Sequence, residues 1–300
     1  PRHNRLLHID LHSTLYTLKM NGLVLEGGAM RGMFTVGVMD EMMREGLRVD
    51  GIVGVSAGAA FGCNYKSHQI RRALRYNQLM AKDWRYCSLR TLIKTGDLFG
   101  AEFAYHYVPT EVDVFDCATY EADPMEFHVV ATDVETGRAV YKRLDHIDYD
   151  GLEWIRASSS MPLCSRVVEL EGHKLLDGGV ADSMPLRYFE GCGYDRNIVV
   201  LTQPLGFRKT PNRLMPLMRL SLRRYPKMVE ALAHRHIMYN EQLDYVAEAE
   251  RTGRALVIRP PYKLPIGHIS HDPAEMQRVY DIGVATAREQ MPAIKRFLAH

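Results

Sequence analysis

Cysteine is scarce and scattered in this chain. Its five cysteines (Cys63, Cys87, Cys117, Cys164 and Cys192) are odd in number, and no two of them form a C-x-x-C pair. This argues against a disulfide framework or a thiolate zinc site and fits a reducing cytosol. A dominant charge is missing too. The formal net charge is +2, which gives no reason to expect a nucleic-acid partner. No apolar run approaches the roughly 18–20 residues that span a bilayer. The first twenty residues carry Arg2, Arg5, Asp10 and three histidines without a sustained apolar core, so they do not read as a signal peptide. Internal repeats, low-complexity tracts and a calcium-loop pattern are also lacking.

What remains is an ordinary globular balance, 46% hydrophobic and 25% charged over 300 residues. That is enough for one large α/β domain with an appendage. Leu23-Val24-Leu25 is a short apolar strand. It is followed by a helix-like segment from Met33 to Arg44, stopped by Gly46, and a second strand from Val49 to Val55. Strand, helix and strand in so short a span make a βαβ unit, hence parallel strands with a right-handed crossover. Residues 57–82 read as helical, and 83–125 give no clear pattern. Further strands are expected at Phe127–Ala131 and Asn197–Thr202, with Arg138–Tyr141 pairing near the first of these. A short helix is expected over Trp154–Ser160, and a hairpin over Val167–Leu170 and Lys174–Leu176. The sum is a three-layer α/β/α pattern with a mostly parallel sheet. After Pro204 the chain turns helical and rich in Arg, Leu and Met over 206–251. A strand-like Ala255–Arg259, a polar loop and a final helix to about Leu298 follow. Three regions are therefore expected: 1–19, an extension outside the fold or an ordinary N-terminal arm; 20–205, the α/β domain; and 206–300, a mainly helical extension packed on it.

Gly54-Val55-Ser56-Ala57-Gly58 is G-x-S-x-G between a strand and a helix. A serine at such a turn is pushed out of the sheet, with the small Gly54 and Gly58 permitting the sharp backbone, and the helix start supplies N–H groups and positive partial charge. Taken alone the motif also suits a small-residue packing turn. The glycine-rich turn Gly27-Gly28-Ala29-Met30-Arg31-Gly32 has neither dinucleotide nor P-loop spacing, and no acidic residue ends the second strand to meet a ribose. Backbone N–H groups there would suit an oxyanion hole, since adjacent parallel strands bring both turns to one sheet edge. The base is open between one of thirteen histidines and Asp177, whose Asp177-Gly178-Gly179 run lets a carboxylate approach another backbone closely. Thr132, Asp133 and Thr136 read as a turn after the third strand, Ser158–Ser160 as a polar helix segment, and the pairs His234/His236 and His268/His271 as surface or core histidines rather than metal ligands.

Five ordered blocks now coincide: Gly27-Gly28-x-x-Arg31-Gly32, Gly54-x-Ser56-x-Gly58, Ala131-Thr132-Asp133-x-x-Thr136-Gly137, Ala157-Ser158-Ser159-Ser160-x-Pro162, and Asp177-Gly178-Gly179 followed by Pro185. Over about Leu23–Leu201 the chain resembles the patatin-like phospholipases, specifically their compact bacterial members. The resemblance implies the patatin-like three-layer fold and hydrolysis of fatty-acyl esters of phospholipids or lysophospholipids. Ser56 would be the nucleophile and Asp177 the base of a Ser-Asp dyad needing no cofactor or metal. It implies an oxyanion hole at Gly27, Gly28 and Ala29, with Arg31 near the headgroup phosphate. Two positions depart from the family pattern. Ala29 replaces a third glycine, which is tolerable only if the backbone there does not need a positive φ. Asp182 stands where asparagine is common. A generic carboxylesterase, an acyltransferase and a non-catalytic lipid-binding protein are the competing expectations, and retention of both Ser56 and Asp177 argues against the last.

Between Phe207 and Lys227 the chain has Arg208, Lys209, Arg213, Arg219, Arg223, Arg224 and Lys227 and no acidic residue. Leu214, Met218, Leu222 and Tyr225 share one helical face opposite Arg219 and Arg223. This is the pattern of a helix lying on anionic lipid, or of one packed on the domain with a solvated basic face. The expectation is a cytoplasmic protein in which 207–227 packs on the domain, with peripheral docking on anionic membrane through the same stretch as the hypothesis to test.

Overall fold

In the computed structural model, which describes residues 20–299, apolar side chains alternate between the two faces of the central strands. Leu23 and Leu25 of β1 (Asn21–Leu25) point into one core while Val24 points into the other. The same split recurs in β2 (Gly51–Val55), β3 (Glu126–Asp133) and β7 (Arg196–Val200). A strand buried on both faces needs cover on both, so the chain builds three layers. Between β1 and β2 lies α1 (Gly32–Arg44). After β2 come α2 (Ala57–Lys66), α3 (Arg72–Met80), α4 (Leu89–Thr95), a π-helical stretch over Glu102–Val112, and α5 (Cys117–Ala122). Following β3 are β4 (Ala139–Arg143), α6 (Tyr149–Ser158), β5 (Val168–Leu170) and β6 (His173–Asp177). Then α7 (Leu186–Gly191) leads to β7. The C-terminal region supplies α8 (Met215–Ser221), α9 (Pro226–Arg251), β8 (Ala255–Ile258) and α10 (Pro273–Leu298).

Hydrogen-bonded neighbours run β5-β6-β3-β2-β1-β7-β8, with β4 also pairing with β3. The β3-β2-β1-β7-β8 run is wholly parallel, and β4, β5 and β6 pair antiparallel. The expected three-layer fold with a mostly parallel sheet is therefore present. β8 extends the parallel sheet, so the C-terminal region supplies a strand as well as helices. The expected single helix over 57–82 is two, broken where His68 and Arg71 take positive φ values of 54° and 63°. Helix is likewise missing from 206–214, and Pro226 starts α9 afresh after α8. The expected N-terminal extension, 1–19, lies outside the described residues.

Candidate active site

The register along β3 brings distant residues together. Val130 pairs with Val55 of β2 on one side and Tyr141 of β4 on the other. One residue further on, Ala131 pairs with Val140 of β4 and, opposite it, with Asp177 of β6. The end of β2 thus gives way to the end of β6 along the same side of β3. Ser56 follows Val55 directly, so it meets Asp177 despite their separation in the chain.

Ser56 occupies a sharp turn at the start of α2 with φ 54° and ψ −121°, a backbone conformation that costs an L-residue of order 1–3 kcal/mol. The neighbours explain how the turn is held. A Cβ on Gly54 would come within 2.5 Å of the Gly58 carbonyl oxygen, and one on Gly58 within 2.4 Å of the Leu25 carbonyl oxygen. Both positions therefore require glycine for close backbone approach. The Ser158 hydroxyl completes the brace. It accepts from the Ser56 N–H at 2.8 Å and donates to the Val130 carbonyl at 2.6 Å. Thr132 is likewise more than a turn residue, because its hydroxyl donates to the Asp177 carbonyl at 2.8 Å and accepts from the Ala181 N–H. Asp133 makes the expected turn, accepting from the N–H groups of Glu135 and Thr136.

Asp177 is buried, and one carboxylate oxygen accepts from the Gly179 N–H at 2.7 Å. Burial pushes its pKa above the usual carboxylate range, opposed by the charge of Arg235, the Ser56 hydroxyl and the Gly179 N–H. Arg235 comes from α9 and donates to the Gly179 carbonyl at 2.6 Å. Gln242, also from α9, accepts from the N–H groups of Ser183 and Met184 and donates to Asp182. Asp182 accepts from Gln242 with one oxygen and from the Tyr141 hydroxyl with the other, a pair of donors that a carboxylate suits. The C-terminal region thereby clamps the Asp177 loop, a role that sequence reasoning missed. Its signal was Arg235 and Gln242 interrupting the apolar spacing of Met228, Leu232, Tyr239, Val246 and Ala249 along α9.

At the glycine-rich turn, a Cβ on Gly27 would come within 2.9 Å of Ser56 Cβ, and one on Gly28 within 2.6 Å of the Thr202 hydroxyl oxygen. Gly27 therefore lies directly against the serine. Among the described residues the N–H groups of Gly28 and Ala29 have no acceptor, whereas that of Met30 donates to the His268 carbonyl. The expectation for Ala29 needs correction. It does adopt a positive φ, 49°, so the alanine sits strained where glycine would not.

Ser56, Ala29 and Met161 line two cavities at once. One, about 890 Å³ including its open mouth, is walled by Phe61, Tyr76, Val108, Phe115, Leu152 and Ile155. Much of its wall comes from the segment 83–125 whose sequence gave no clear pattern, including the π-helical stretch. The other, about 1040 Å³ including its open mouth, is the more polar of the two and takes in Asp177, Glu26, Arg31, Lys209, Arg235 and His268. Arg31 reaches His268 at 3.0 Å. His268 is held below its ordinary pKa by its surroundings and by the charges of Arg31, Lys209 and Arg235, so one of the histidines set aside as surface or core lies at this cavity.

The chain is 29% identical to the uncharacterized protein YjjU of Escherichia coli over 81% of its length and 69% of YjjU. It is 27% identical to the lysophospholipase nte1 of Aspergillus niger and 26% identical to that of Aspergillus terreus, over 92% and 91% of this chain. The chain spans 18% of the length of each lysophospholipase. VipD of Legionella pneumophila superposes with a TM-score of 0.44 at 13% identity, covering 92% of this chain and 67% of that one, too distant a likeness to add to the assignment. Residues 225–299 match a domain of unknown function, DUF6363. Residues 23–190, more than half of the chain, match the patatin-like phospholipase model, and the protein belongs to that family.

Proposed function

We propose that the protein is a serine acyl hydrolase that cleaves fatty-acyl esters of phospholipids or lysophospholipids through a Ser56–Asp177 dyad. The observation that carries this reading is the placement of Ser56, beside a buried carboxylate and at the junction of an apolar cavity with a cationic one. An acyl chain fits the first and a phosphate headgroup the second. Asp177 takes the hydroxyl proton as Ser56 Oγ attacks the ester carbonyl carbon. The resulting oxyanion receives the N–H groups of Gly28 and Ala29, with Gly27 leaving room for the approach. Collapse expels the alcohol, which regains the proton from Asp177. Water, deprotonated in turn by Asp177, attacks the acyl carbon, and the fatty acid leaves as Ser56 Oγ takes the proton back from Asp177. The Ser56 N–H is engaged by Ser158, so the oxyanion donors come from the glycine-rich turn.

Access to lipid follows from α8. Leu214, Leu217 and Leu220 are 55%, 51% and 66% exposed, and Arg213, Arg219, Arg223 and Arg224 are exposed around them. Leu214 and Met218 also line the polar cavity. These features support peripheral docking of a cytoplasmic protein on anionic membrane. No helix among the described residues is long and apolar enough to cross one.

The test is hydrolysis of a short p-nitrophenyl ester and of a fluorogenic phospholipid by wild type, Ser56→Ala and Asp177→Asn, with chelator present. Activity is expected in the wild type, with near-complete loss in Ser56→Ala and a loss of about a hundredfold or more in Asp177→Asn. Full activity in Asp177→Asn would assign the base to another residue. An inactive wild type would remove the hydrolase reading.

A further inference from the structure

The polar cavity holds more positive charge than a dyad and an oxyanion hole require. Arg31 comes from the glycine-rich turn, whereas Lys209 and Arg235 come from the C-terminal region. Among the described residues none of the three forms a salt bridge. The Arg31 Nε is buried and has no hydrogen-bond partner among the described residues. The two carboxylates beside them make their hydrogen bonds elsewhere, and their charges only partly offset the three cations. Glu26 is 2% exposed and accepts from the Thr202 N–H, the Thr202 hydroxyl and the Tyr239 hydroxyl, and Asp177 faces Ser56.

Lys209 is built into position. Its N–H donates to the Asn240 side chain at 2.8 Å, its carbonyl accepts from the same side chain at 3.0 Å, and its ammonium lies 4.4 Å from the centre of the Tyr239 ring. Three cations beside two carboxylates leave positive charge in excess, and holding that excess in a half-buried cavity is unfavourable unless a further anion joins it. The ammonium registers that cost. Burial, and then the charge of Arg235, bring its pKa down to about 8.

We infer that Lys209 and Arg235 of the C-terminal region complete, with Arg31, a subsite for the phosphate of a phospholipid headgroup that carries no cationic tail. The inference rests on the acyl-hydrolase reading for its substrate, but the subsite itself stands on the cation cluster. A phosphate there would accept from guanidinium and ammonium donors at once, the strong charge-assisted kind of hydrogen bond. A quaternary ammonium would find no welcome, because Glu26 is buried behind its donors and the Tyr239 ring is already covered by Lys209.

Two measurements test this. In the first, glycerol 3-phosphate and inorganic phosphate are titrated into Ser56→Ala and into Ser56→Ala/Lys209→Met by calorimetry. Glycerol 3-phosphate is expected to bind the single variant and to lose at least about tenfold in affinity when Lys209 is replaced. No binding to Ser56→Ala, or equal binding to the two proteins, would overturn the subsite whether or not the enzyme turns over. Inorganic phosphate binding as tightly as glycerol 3-phosphate would make this a free-anion site instead and overturn the headgroup assignment. The second measures kcat/KM on monoacylglycerol, its 3-phosphate and its 3-phosphocholine for wild type, Lys209→Met and Lys209→Arg. The wild type is expected to favour the phosphate over both others. The ratio of phosphate to neutral substrate should fall about tenfold in Lys209→Met and recover in part in Lys209→Arg. Turnover with a ratio near one would overturn this subsite and leave the hydrolase intact. A phosphocholine ester cleaved as well as the monoester would overturn the exclusion of a cationic tail. Calorimetric binding with no turnover of any ester would remove the hydrolase reading while the anion subsite stood.

Discussion

Among single side chains, Ser158 couples the serine turn to the strand beside it, taking the Ser56 N–H and giving its proton to the Val130 carbonyl. Ser158→Ala leaves both backbone groups buried and unpaired, at about 1–3 kcal/mol each. A lower unfolding midpoint and a reduced kcat on a soluble ester are expected, checked by thermal melting and steady-state kinetics. Asp177 sets a pH limb. Burial raises its pKa and the Arg235 charge opposes the rise. The proposed base acts as the carboxylate, so activity should fall as pH drops through that raised value. Arg235→Met removes the opposing charge and should move the acid limb of kcat/KM to higher pH, whatever it does to kcat. A limb that stays in place would mean that Arg235 does not act on Asp177 electrostatically. Ser56 and Asp177 were legible because each sits in a glycine-framed turn with strand on one side, a local constraint written into sequence. Ser158, Thr132, Arg235 and Lys209 were not, since their partners lie across layers of the fold, and nothing local tells a serine that braces a turn from one that merely faces solvent.

Between helices, the tightest contact joins α1 to α10. A Cβ on Gly37 would fall 2.2 Å from the Tyr280 carbonyl oxygen, and one on Gly283 would fall 2.1 Å from the Phe34 carbonyl oxygen. Backbone therefore packs on backbone, and Gly37→Ala or Gly283→Ala should cost about 1–3 kcal/mol by forcing the helices apart, measured by urea unfolding. Asp40 lies in the same interface, accepting from the Tyr280 hydroxyl and the Arg71 N–H. Burial pushes its pKa up from 3.8 to about 6, against the pull of Tyr280, Arg71 and Arg44. In that window the folded protein keeps a proton that the unfolded chain has lost, so Asp40 makes stability decline as pH rises, by about 3 kcal/mol in all. Asp40→Asn removes this titration. Its stability relative to wild type should therefore climb between pH 4 and 7, and a constant difference would show that folding does not raise the Asp40 pKa. The strands and α1 were readable from periodicity because their apolar pattern is strict. The segment 83–125 was not, because α4 and α5 have only seven and six residues, too few to show a period, and the π-helical turns between them place Ala104, Tyr105, Val108 and Pro109 on the cavity wall. The break at 67–71 depends on His68 and Arg71 taking left-handed backbone, which no residue type there announces.

For the protein as a body, the basic stretch divides into three parts that composition alone treats as one. Arg208 pairs with Asp244 and Lys227 with Glu230. Lys209 turns inward to the polar cavity. Arg213, Arg219, Arg223 and Arg224 remain outside. The apolar face expected to meet lipid is divided as well, since Met218 and Leu222 are buried against Val180 and Leu232 while Leu214, Leu217 and Leu220 point out. The helical wheel mixed the two sets because α8 is short and stops at Ser221. Docking of α8 on a bilayer would bring lipid to the rim where Leu214 meets the polar cavity, so membrane contact and substrate entry would be one event. Two variants separate its parts. Reversing Arg219, Arg223 and Arg224 to Glu should weaken sedimentation with anionic vesicles by about 1 kcal/mol or more per charge, with a loss that shrinks as salt rises. Leu217→Ser with Leu220→Ser should weaken binding at every salt concentration, because the apolar contribution is not screened. Hydrolysis of vesicle lipid should fall with binding in both variants, while turnover of a soluble short-chain ester holds. If vesicle binding stays at the wild-type level in both, α8 is only a packed helix with a wet face, and lipid must reach Ser56 by another side.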